Sequence, residues 1–464
     1  MNKKLLLILT VFSLALNAQI YNVDTLLYNG NPNKRINLVI LSDGYTNAQL
    51  PQFVTNATTM SNYWFSIAPF SLYKNYFNVF IIKVPSVQSG VSHPGTATDV
   101  TEPVIPVSSV NNYFGSAFDY YNIHRLLVPN NSSTIYSVLA ANFPNYDLPI
   151  VIGNSTEYGG SGGGFCTVSI NSNSNEIFAH ESGHTFGGLA DEYWAGPTYA
   201  IEKPNMTAQS NPTLVKWAPW VGINSIGVYP YGTSSPQSGW YRPHQNCKMQ
   251  FLGSPFCSVC EEALIEKIHS LTNPIDSFAP INTSTITATA SPITFKSFLL
   301  KPLPNTLKRT WKLNGNTQVM NVDSTTIANS SFVNGNNTVS ITVIDTTILS
   351  KSATHPTLHT YSVIWNVNKS SAGITSISGI TELSTFPNPA NDVLTVRYTL
   401  QNESDMEFQM LTDEGRVVST TKVKSQSVGE HDQKIDLANL AKGNYFLQCT
   451  IDKKVILNKI LVIR

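Results

Sequence analysis

Hydrophobic and polar residues follow one pattern up to about residue 272 and a different one after it. In the first part, short apolar runs typical of buried strands alternate with stretches whose apolar residues recur at helical spacing. Strands are predicted at 36–41, 77–84, 148–152 and 165–170, and helices at 47–67, at 132–142 and from about residue 176. This alternation predicts an α/β domain with a sheet over residues 19–272.

After residue 272 the helical spacing disappears, and short β-branched runs separated by turn residues such as Asn314-Gly315 take its place. The runs are 283–290, 310–313, 337–344 and 361–367. They predict a β-sandwich domain over 273–370. A polar linker (371–382) and a second all-β sandwich-type domain (383–464) are expected to follow.

The N-terminus has the pattern of a signal peptide, with a basic start, an apolar run from Leu5 to Leu16 and a small residue, Ala18, for cleavage. A signal peptide is therefore predicted over 1–18; the alternative is an N-terminal core strand or helix. No later apolar run is long enough for a transmembrane helix, so no transmembrane segment is expected.

Charge excludes one class of partner. The chain has 29 basic and 29 acidic residues and no Lys/Arg cluster, so nothing favours nucleic acid. Charged residues make up only 12% of the chain, which is more typical of an extracellular protein than of a cytosolic one.

The five cysteines are open to two interpretations. In an exported chain, Cys166, Cys247, Cys257 and Cys260 are expected to form two disulfides. Alternatively, Cys257 and Cys260 could belong to a metal knuckle with Cys247 and a histidine such as His244. Cys449 lies in an apolar strand pattern and is predicted to be a buried thiol.

The clearest candidate chemistry lies in His180-Glu181-Ser182-Gly183-His184. Two histidines at i and i+4 lie on one face of a helix and can bind the same tetrahedral ion. Zinc lowers the pKa of a bound water, and Glu181 would be the general base that takes its proton. The simpler alternative is a helix with two surface histidines and a salt-bridged glutamate.

A third protein ligand is needed, since two histidines and a water do not complete a zinc site. In metzincin-like peptidases the chain turns at a glycine after the second histidine, and the third ligand follows where this chain has Ala190, which cannot bind a metal. One extra residue in the turn would place Asp191 there, with Glu192 as the competing candidate. The string Gly188-Leu-Ala-Asp-Glu-Tyr193 resembles that of snapalysin-like and immune-inhibitor-A-like peptidases, whose aspartate is a ligand.

Two further residues are supporting candidates. Met249 could form the methionine turn that metzincins place beneath the metal, or be an ordinary core methionine. Tyr193 aligns with the tyrosine of the string above. Tyr241 and His244 could stabilise an oxyanion, and the glycines at 159–164 could form a turn beside the cleft.

Longer strings make residues 30–272 similar to the IgA-peptidase-like zinc metalloendopeptidases. They are Leu41-Ser-Asp-Gly-Tyr-Thr46, residues 84–94, His180 to Tyr193 and residues 256–264. The resemblance implies a metzincin-like domain, with a mixed sheet and an active-site helix, that holds one zinc ion and cleaves peptide bonds in an extracellular protein or glycoprotein.

The last eighty or so residues resemble a type IX secretion sorting domain through Pro387-Asn-Pro-Ala390, Gly443-Asn-Tyr445 and the terminal strand. This implies a bacterial protein that engages the type IX machinery and is released or held at the cell surface. The alternative function is a surface adhesin or glycan-binding protein with a vestigial protease domain.

Overall fold

The computed structural model describes residues 19–232, 239–369, 380–451 and 454–463. The predicted signal peptide and most of the predicted linker lie outside these residues. The chain divides into two compact units. The first comprises the chain to Ser284 with Thr294–Thr326 and Thr338–Trp365, and the second comprises Thr285–Ile293, Ile327–Asn337 and Asn366 onward.

The N-terminal part of the first unit alternates strands and helices, as predicted. Its strands are β1 (Val23–Leu27), β2 (Ile36–Asp43), β3 (Phe77–Ile82), β4 (Ser116–Ala117), β5 (Val128–Pro129), β6 (Leu148–Gly153), β7 (Gly160–Ser161), β8 (Cys166–Val168), β9 (Tyr229–Pro230) and β10 (Tyr241–Arg242). Its helices are α1 (Leu50–Trp64), α2 (Ser132–Asn142), α3 (Ser174–Thr185) and α4 (Ser258–Leu271).

Six of these strands form a mixed sheet in the order β1-β3-β2-β6-β8-β7. The four central strands are parallel, whereas β1 and β7 are antiparallel edge strands. Every residue of β2, β3 and β6 is buried. Strands that are covered on both faces need apolar residues in both side-chain directions, which explains their continuous hydrophobic runs. The mixed α/β architecture predicted from the sequence is confirmed.

Helices cover both faces of the sheet. Leu38 and Ile40 of β2 belong to a large core with residues of α1, α3 and α4, whereas Val39 and Leu41 pack with residues of α2. Aromatic rings fill the first core, and the rings of Trp64 and Phe70 stack with their centroids 3.8 Å apart. Burial of this many large rings holds α3 firmly against the sheet.

The rest of the first unit is mainly β-structure. Its strands lie wholly or largely in that unit: Ile275–Ala279, Ile293–Leu299, Leu307–Leu313, Asn316–Met320, Ser324–Ile327, Gly335–Asp345 and Thr360–Lys369. A short helix spans His355–Leu358. Asn314 and Gly315 both have positive φ, 50° and 83°, as a two-residue hairpin turn requires.

The second unit consists chiefly of two sheets from the C-terminal part of the chain. One contains Ile380–Phe386, Val393–Leu400 and Gly429–Asp436, and the other contains Ser404–Thr412, Val417–Gln426, Gly443–Ile451 and Lys454–Val462. Alternate residues of these strands form one apolar core. Cys449 belongs to that core as a free, buried thiol, as predicted. A short strand, Ile286–Thr287, also lies in this unit.

None of the helices within the described residues combines the length and the apolar character that crossing a bilayer requires.

Candidate active site

Helix α3 carries both histidines of the motif, and the surrounding core fixes its position. Ile177, Phe178 and Ala179 are buried on its inner side. Ser182 accepts a hydrogen bond from the indole N–H of Trp64 at 2.9 Å and donates its hydroxyl to the Ala179 carbonyl at 2.8 Å. The helix is therefore fixed in rotation, with one side turned toward the candidate site.

Three side chains of the motif region converge on that side. The Nε2 atoms of His180 and His184 lie 3.2 Å apart, and Asp191 Oδ1 lies 3.0 and 3.1 Å from them. Three nitrogen or oxygen ligands bound at about 2.0–2.1 Å to a tetrahedral zinc lie about 3.3 Å from one another. The observed triangle has nearly those dimensions, so the three residues fit a zinc ion.

The outer ring nitrogens of both histidines are held by backbone carbonyls. His180 Nδ1 lies 2.9 Å from the Lys248 oxygen, and His184 Nδ1 lies 2.8 Å from the Leu189 oxygen. A carbonyl oxygen only accepts, so each Nδ1 carries the proton. In the neutral ring this leaves the Nε2 lone pair facing the site, as metal-binding histidines require.

A glycine turn delivers Asp191 to the histidines. Gly188 has φ +63°, its N–H donates to the His184 carbonyl, and the N–H of Leu189 donates to the Gly183 carbonyl. A left-handed residue here ends the helix and satisfies its last carbonyls. The next residue, Ala190, is clamped by Asn205, which accepts its N–H at 2.7 Å and donates to its carbonyl at 2.9 Å.

Glu192 points away from the histidines. Its carboxylate lies with three cysteines, and its backbone N–H donates to the Met249 carbonyl at 2.7 Å. Of the two acidic residues left open by the sequence, only Asp191 lies against the histidine pair.

Met249 and Tyr193 lie at two sides of the same site. Met249 is fully buried, and its sulfur lies so close to Gly183 that a Cβ there would approach it to 2.6 Å. The ring of Tyr193 is stacked near that of His180, with centroids 6.3 Å apart. The methionine therefore packs against the helix between the two histidines, and the tyrosine borders the open side.

A cavity of about 460 Å³ opens beside Glu181. Its lining includes His180, Tyr193, Arg125 and Tyr158. A Cβ on Gly162 would lie only 2.8 Å from Glu181 Oε2, so the glycine-rich segment passes directly over the glutamate. The absence of a side chain at residue 162 keeps space for a small molecule or a peptide group at the carboxylate.

Burial and neighbouring charges shift the pKa values of three residues in this site. Burial raises the pKa of Glu181 more than the nearby histidines lower it. Burial lowers the pKa of His184, but the hydrogen bond and the charge of Asp191 outweigh it and raise the pKa to about 9. The pKa of Asp191 is lowered, because the two histidines outweigh its burial. A carboxylate with a raised pKa beside a cavity is suited to accept a proton.

Several residues of the site were not foreseen from the sequence. Arg125 and Tyr158 line the cavity together with Tyr193. Asn205 holds the turn before Asp191, and Ser182 holds the helix. Arg125 follows the string Tyr120-Tyr-Asn-Ile-His124, which has no strand or helix pattern of its own.

The expectation of two disulfides is wrong for this structure. Cys166, Cys247, Cys257 and Cys260 are all free and buried. Cys166 lies against the Thr185 hydroxyl at 3.2 Å, whereas the other three lie together with Glu192. The alternative, a metal knuckle completed by His244, is not seen either, because His244 Nδ1 accepts the N–H of Asn246 and the residue beside the three cysteines is Glu192.

Tyr241, the other oxyanion candidate, pairs through its backbone with Thr207. It does not border the cavity.

Residues 25–231 match the model of the IgA Peptidase M64 family. The match covers less than half of the chain, and this part of the chain is similar to a peptidase M64 domain. The M64 peptidases are metallopeptidases, and the matched range contains Glu181 together with the histidine pair and Asp191. Met249 and the last three cysteines of the first unit lie beyond the matched residues.

Residues 384–463 match the model of a secretion system C-terminal sorting domain. That domain indicates export by type IX secretion to the cell surface or the outside, and it implies interaction with the type IX machinery. The resemblances drawn from the sequence to both families are confirmed.

Solved structures add little to this. The chain is similar to dimeric latent PorU from Porphyromonas gingivalis, with 13% identity over 40% of this chain and 20% of that one, at a TM-score of 0.17. It is also similar to the fibronectin(III)-like modules of Clostridium thermocellum CbhA, with 12% identity over 40% of this chain and 91% of theirs, at a TM-score of 0.15. Scores this low carry no argument about fold or function. No curated protein matches the chain.

Proposed function

We propose that the chain is a secreted zinc-dependent endopeptidase that hydrolyses peptide bonds of extracellular proteins. The convergence of His184 and Asp191 on His180, which lines a cavity together with Glu181, supports this most directly. The peptidase M64 domain and the sorting domain are consistent with it.

The proposed ligands of a single catalytic zinc are the two histidines and Asp191. Their donor atoms, their tautomers and their spacing suit that ion. Bound there, zinc would supply Lewis-acid polarisation of the scissile carbonyl and a lowered pKa for the attacking water.

Glu181 is proposed to accept a proton from the attacking water and to pass it to the leaving amine. The cavity gives both groups access to its carboxylate, and the close passage of Gly162 limits what else can enter. Tyr193 and Arg125 border the same space and would orient the substrate carbonyl.

Substrate pairing with the sheet edge is restricted. The N–H of Gly160 in β7 already donates to the Arg125 carbonyl, and Ser161 donates its hydroxyl to the Leu127 carbonyl. The N–H of Gly163 likewise donates to Thr185 Oγ1 at 3.2 Å, so an extended peptide would have to pair with the backbone of Gly162 or Gly164, just beyond β7.

The remaining predictions about architecture stay proposals. They are a metzincin-like fold with a methionine turn at Met249, a peptidase domain over 19–272, and β-sandwich domains over 273–370 and 383–464. The mixed sheet with its antiparallel edge strand β7 and the position of Met249 beneath α3 support the first of these.

The test is cleavage of a proteome-derived peptide mixture by the purified full chain, with and without a chelator. Cleavage that the chelator abolishes and that added zinc restores is expected. Cleavage unaffected by the chelator would refute a metal mechanism. Binding to glycans without any cleavage would instead favour the adhesin alternative.

A further inference from the structure

Three cysteines and a glutamate form a second cluster of metal-type ligands. Cys247, Cys257, Cys260 and Glu192 place one candidate ligand atom each within 4.8 Å of one another. The four residues are between 0% and 7% exposed, so the cluster is closed to solvent. It lies behind the candidate active site, on the other side of the Asp191–Glu192 peptide.

The distances in this cluster match a tetrahedral ion better than a disulfide. Cys247 Sγ and Cys260 Sγ lie 3.6 Å apart, and Cys260 Sγ lies 3.4 Å from Glu192 Oε1. Around tetrahedral zinc, two sulfurs lie about 3.8 Å apart and a sulfur and an oxygen about 3.6 Å apart. A disulfide needs about 2.05 Å and would use only two of the three thiols.

Glu192 is a second indication that a cation belongs here. Its side chain is fully buried, and Oε2 has no hydrogen-bond partner among the described residues. The hydrogen bond from Arg242 goes to the backbone oxygen of Glu192 and not to the carboxylate. The other oxygen, Oε1, accepts a hydrogen bond from Asn205 Nδ2 at 2.9 Å. Oε2 is therefore the unsatisfied atom: if ionised it accepts no hydrogen bond, and if protonated it leaves its hydroxyl without an acceptor.

The backbone around Cys247 supports a thiolate. The N–H of Cys257 donates to Cys247 Sγ at 3.3 Å. Backbone donors aimed at a sulfur favour its anionic form, which is the form that binds metals.

We propose that Cys247, Cys257, Cys260 and Glu192 hold a structural zinc ion, distinct from the catalytic one. Four protein ligands leave no open position, so this ion would not bind substrate. It would tie together the segment that follows Asp191, the turn that contains Met249 and the start of α4.

Cobalt substitution tests this site separately from the active site. Full-length protein produced with Co²⁺ should show thiolate-to-cobalt charge transfer in the near ultraviolet, because this is the one ligand cluster among the described residues that contains cysteines. Cys260→Ser should lose the band, together with about one metal equivalent per chain. Cys166→Ser, which removes a buried thiol outside the cluster, is the matched control and should keep both.

The wild-type protein alone decides the question if Cys260→Ser does not fold. A wild-type chain without the band, and lighter by two hydrogens per chain in its intact mass, would overturn the proposal in favour of a disulfide. Neither readout depends on proteolysis, so failure here leaves the proposed peptidase function untouched.

An independent cluster lies in the segment between β3 and α2. His93 Nε2 lies 3.2 Å from Glu102 Oε2 and 3.5 Å from Asp119 Oδ2. His124 Nδ1 lies 3.2 Å from Glu102 Oε1 and 3.1 Å from Asp119 Oδ1. One candidate ligand atom from each of these four residues lies within 4.8 Å of the other three.

His93 shows that ion pairing does not complete this cluster. The residue is fully buried, and neither ring nitrogen makes a hydrogen bond despite the two close carboxylates. Asp119 has φ 63°, a strained left-handed conformation that brings its carboxylate to both rings. We infer that two imidazoles and two carboxylates here bind a further divalent transition-metal ion, for which this ligand set is suitable.

The second inferred ion would order the segment that presents Arg125 to the cavity, because His124 is its neighbour. His93→Gln should lower the metal content by about one equivalent and leave the thiolate–cobalt band unchanged. His244→Asn, at a histidine outside the cluster, should change neither. If His93→Gln does not fold, an Asp191→Ala, Cys260→Ser double variant should still retain about one equivalent. Its complete loss of metal, or full metal content in His93→Gln, would overturn the inference.

Discussion

Asp191 and Glu192 are consecutive acidic residues whose carboxylates lie in different surroundings. Asp191 meets two histidines, of which His180 lines the 460 Å³ cavity, whereas Glu192 is fully enclosed with three cysteines. Nitrogen and oxygen ligands beside open space suit a reacting centre, and sulfur ligands in a closed space suit a structural one. The two clusters each contain an acidic residue, and they differ in their access to solvent and in the type of ligand atom beside the acid.

The strongest test of this contrast replaces each acid by its amide. Asp191→Asn should weaken zinc binding at the active site by more than about a hundredfold and abolish proteolysis, since even partners of ligands are worth ten- to a hundredfold. Glu192→Gln should leave the active-site ligands in place and mainly lower the thermal midpoint of unfolding. Metal analysis, peptide cleavage and thermal melts of the two variants would measure these effects. If both variants lost the same fraction of activity and neither changed the thermal midpoint of unfolding, the proposed difference between the two acids would be wrong.

Glu181→Gln separates metal binding from proton transfer within the open site. The amide keeps the shape of the side chain but accepts no proton, so kcat should fall by about 10² to 10⁴ with zinc content unchanged. Single-turnover peptide hydrolysis and metal analysis provide the measurement. Glu261→Gln, on α4, is the control. Cleavage at the wild-type rate would exclude Glu181 as the base.

Arg125 tests the outer border of the cavity. Arg125→Gln removes a cation from the wall of the cavity, so kcat/KM should fall by about tenfold, as expected for one lost charge-assisted bond to the substrate. Zinc content should be unchanged, which distinguishes this residue from a ligand. Arg416→Gln, exposed in the sorting domain, should have no effect. An unaltered kcat/KM would remove Arg125 from the substrate site.

The smallest effect expected is a pH dependence of zinc binding at the open site. The pKa of His184 is raised to about 9 without metal, so zinc must displace a proton at neutral pH. Apparent affinity should therefore rise with pH up to about 9. The stability of the metal-free fold should depend on pH in the opposite direction. The stabilisation that protonated His184 gives to the fold is complete below about pH 6.5 and is lost as pH rises through about 9. Chelator competition and thermal melts across this range would show both, and a flat affinity profile would contradict the shift.

Local patterns were sufficient to predict much of the architecture. Residues 132–142 form α2 as predicted, and the fully apolar run at 36–41 lies in the buried strand β2. The i, i+4 spacing was sufficient to place His180 and His184 together, because helix geometry is local. The choice between Asp191 and Glu192 depended on contacts with Asn205 and with distant cysteines, which no local pattern encodes.

The disulfide expectation failed for a related reason. It relied on the oxidising compartment, whereas the structure brings three thiols and a carboxylate together through long-range packing. Arg125 was missed because its approach to the cavity depends on how a segment without regular structure folds back on the sheet.

The pattern His-Glu-x-x-His treats its two middle positions as free, but the interior of this protein does not. Ser182 is bonded to Trp64, and Gly183 leaves room for the sulfur of Met249. Moving the five residues to another helix would therefore transfer the ligands without the support that orients them. In this fold the identities of Ser182 and Gly183 therefore matter as well, and a designed copy of the motif would also need the tryptophan and the methionine that they contact.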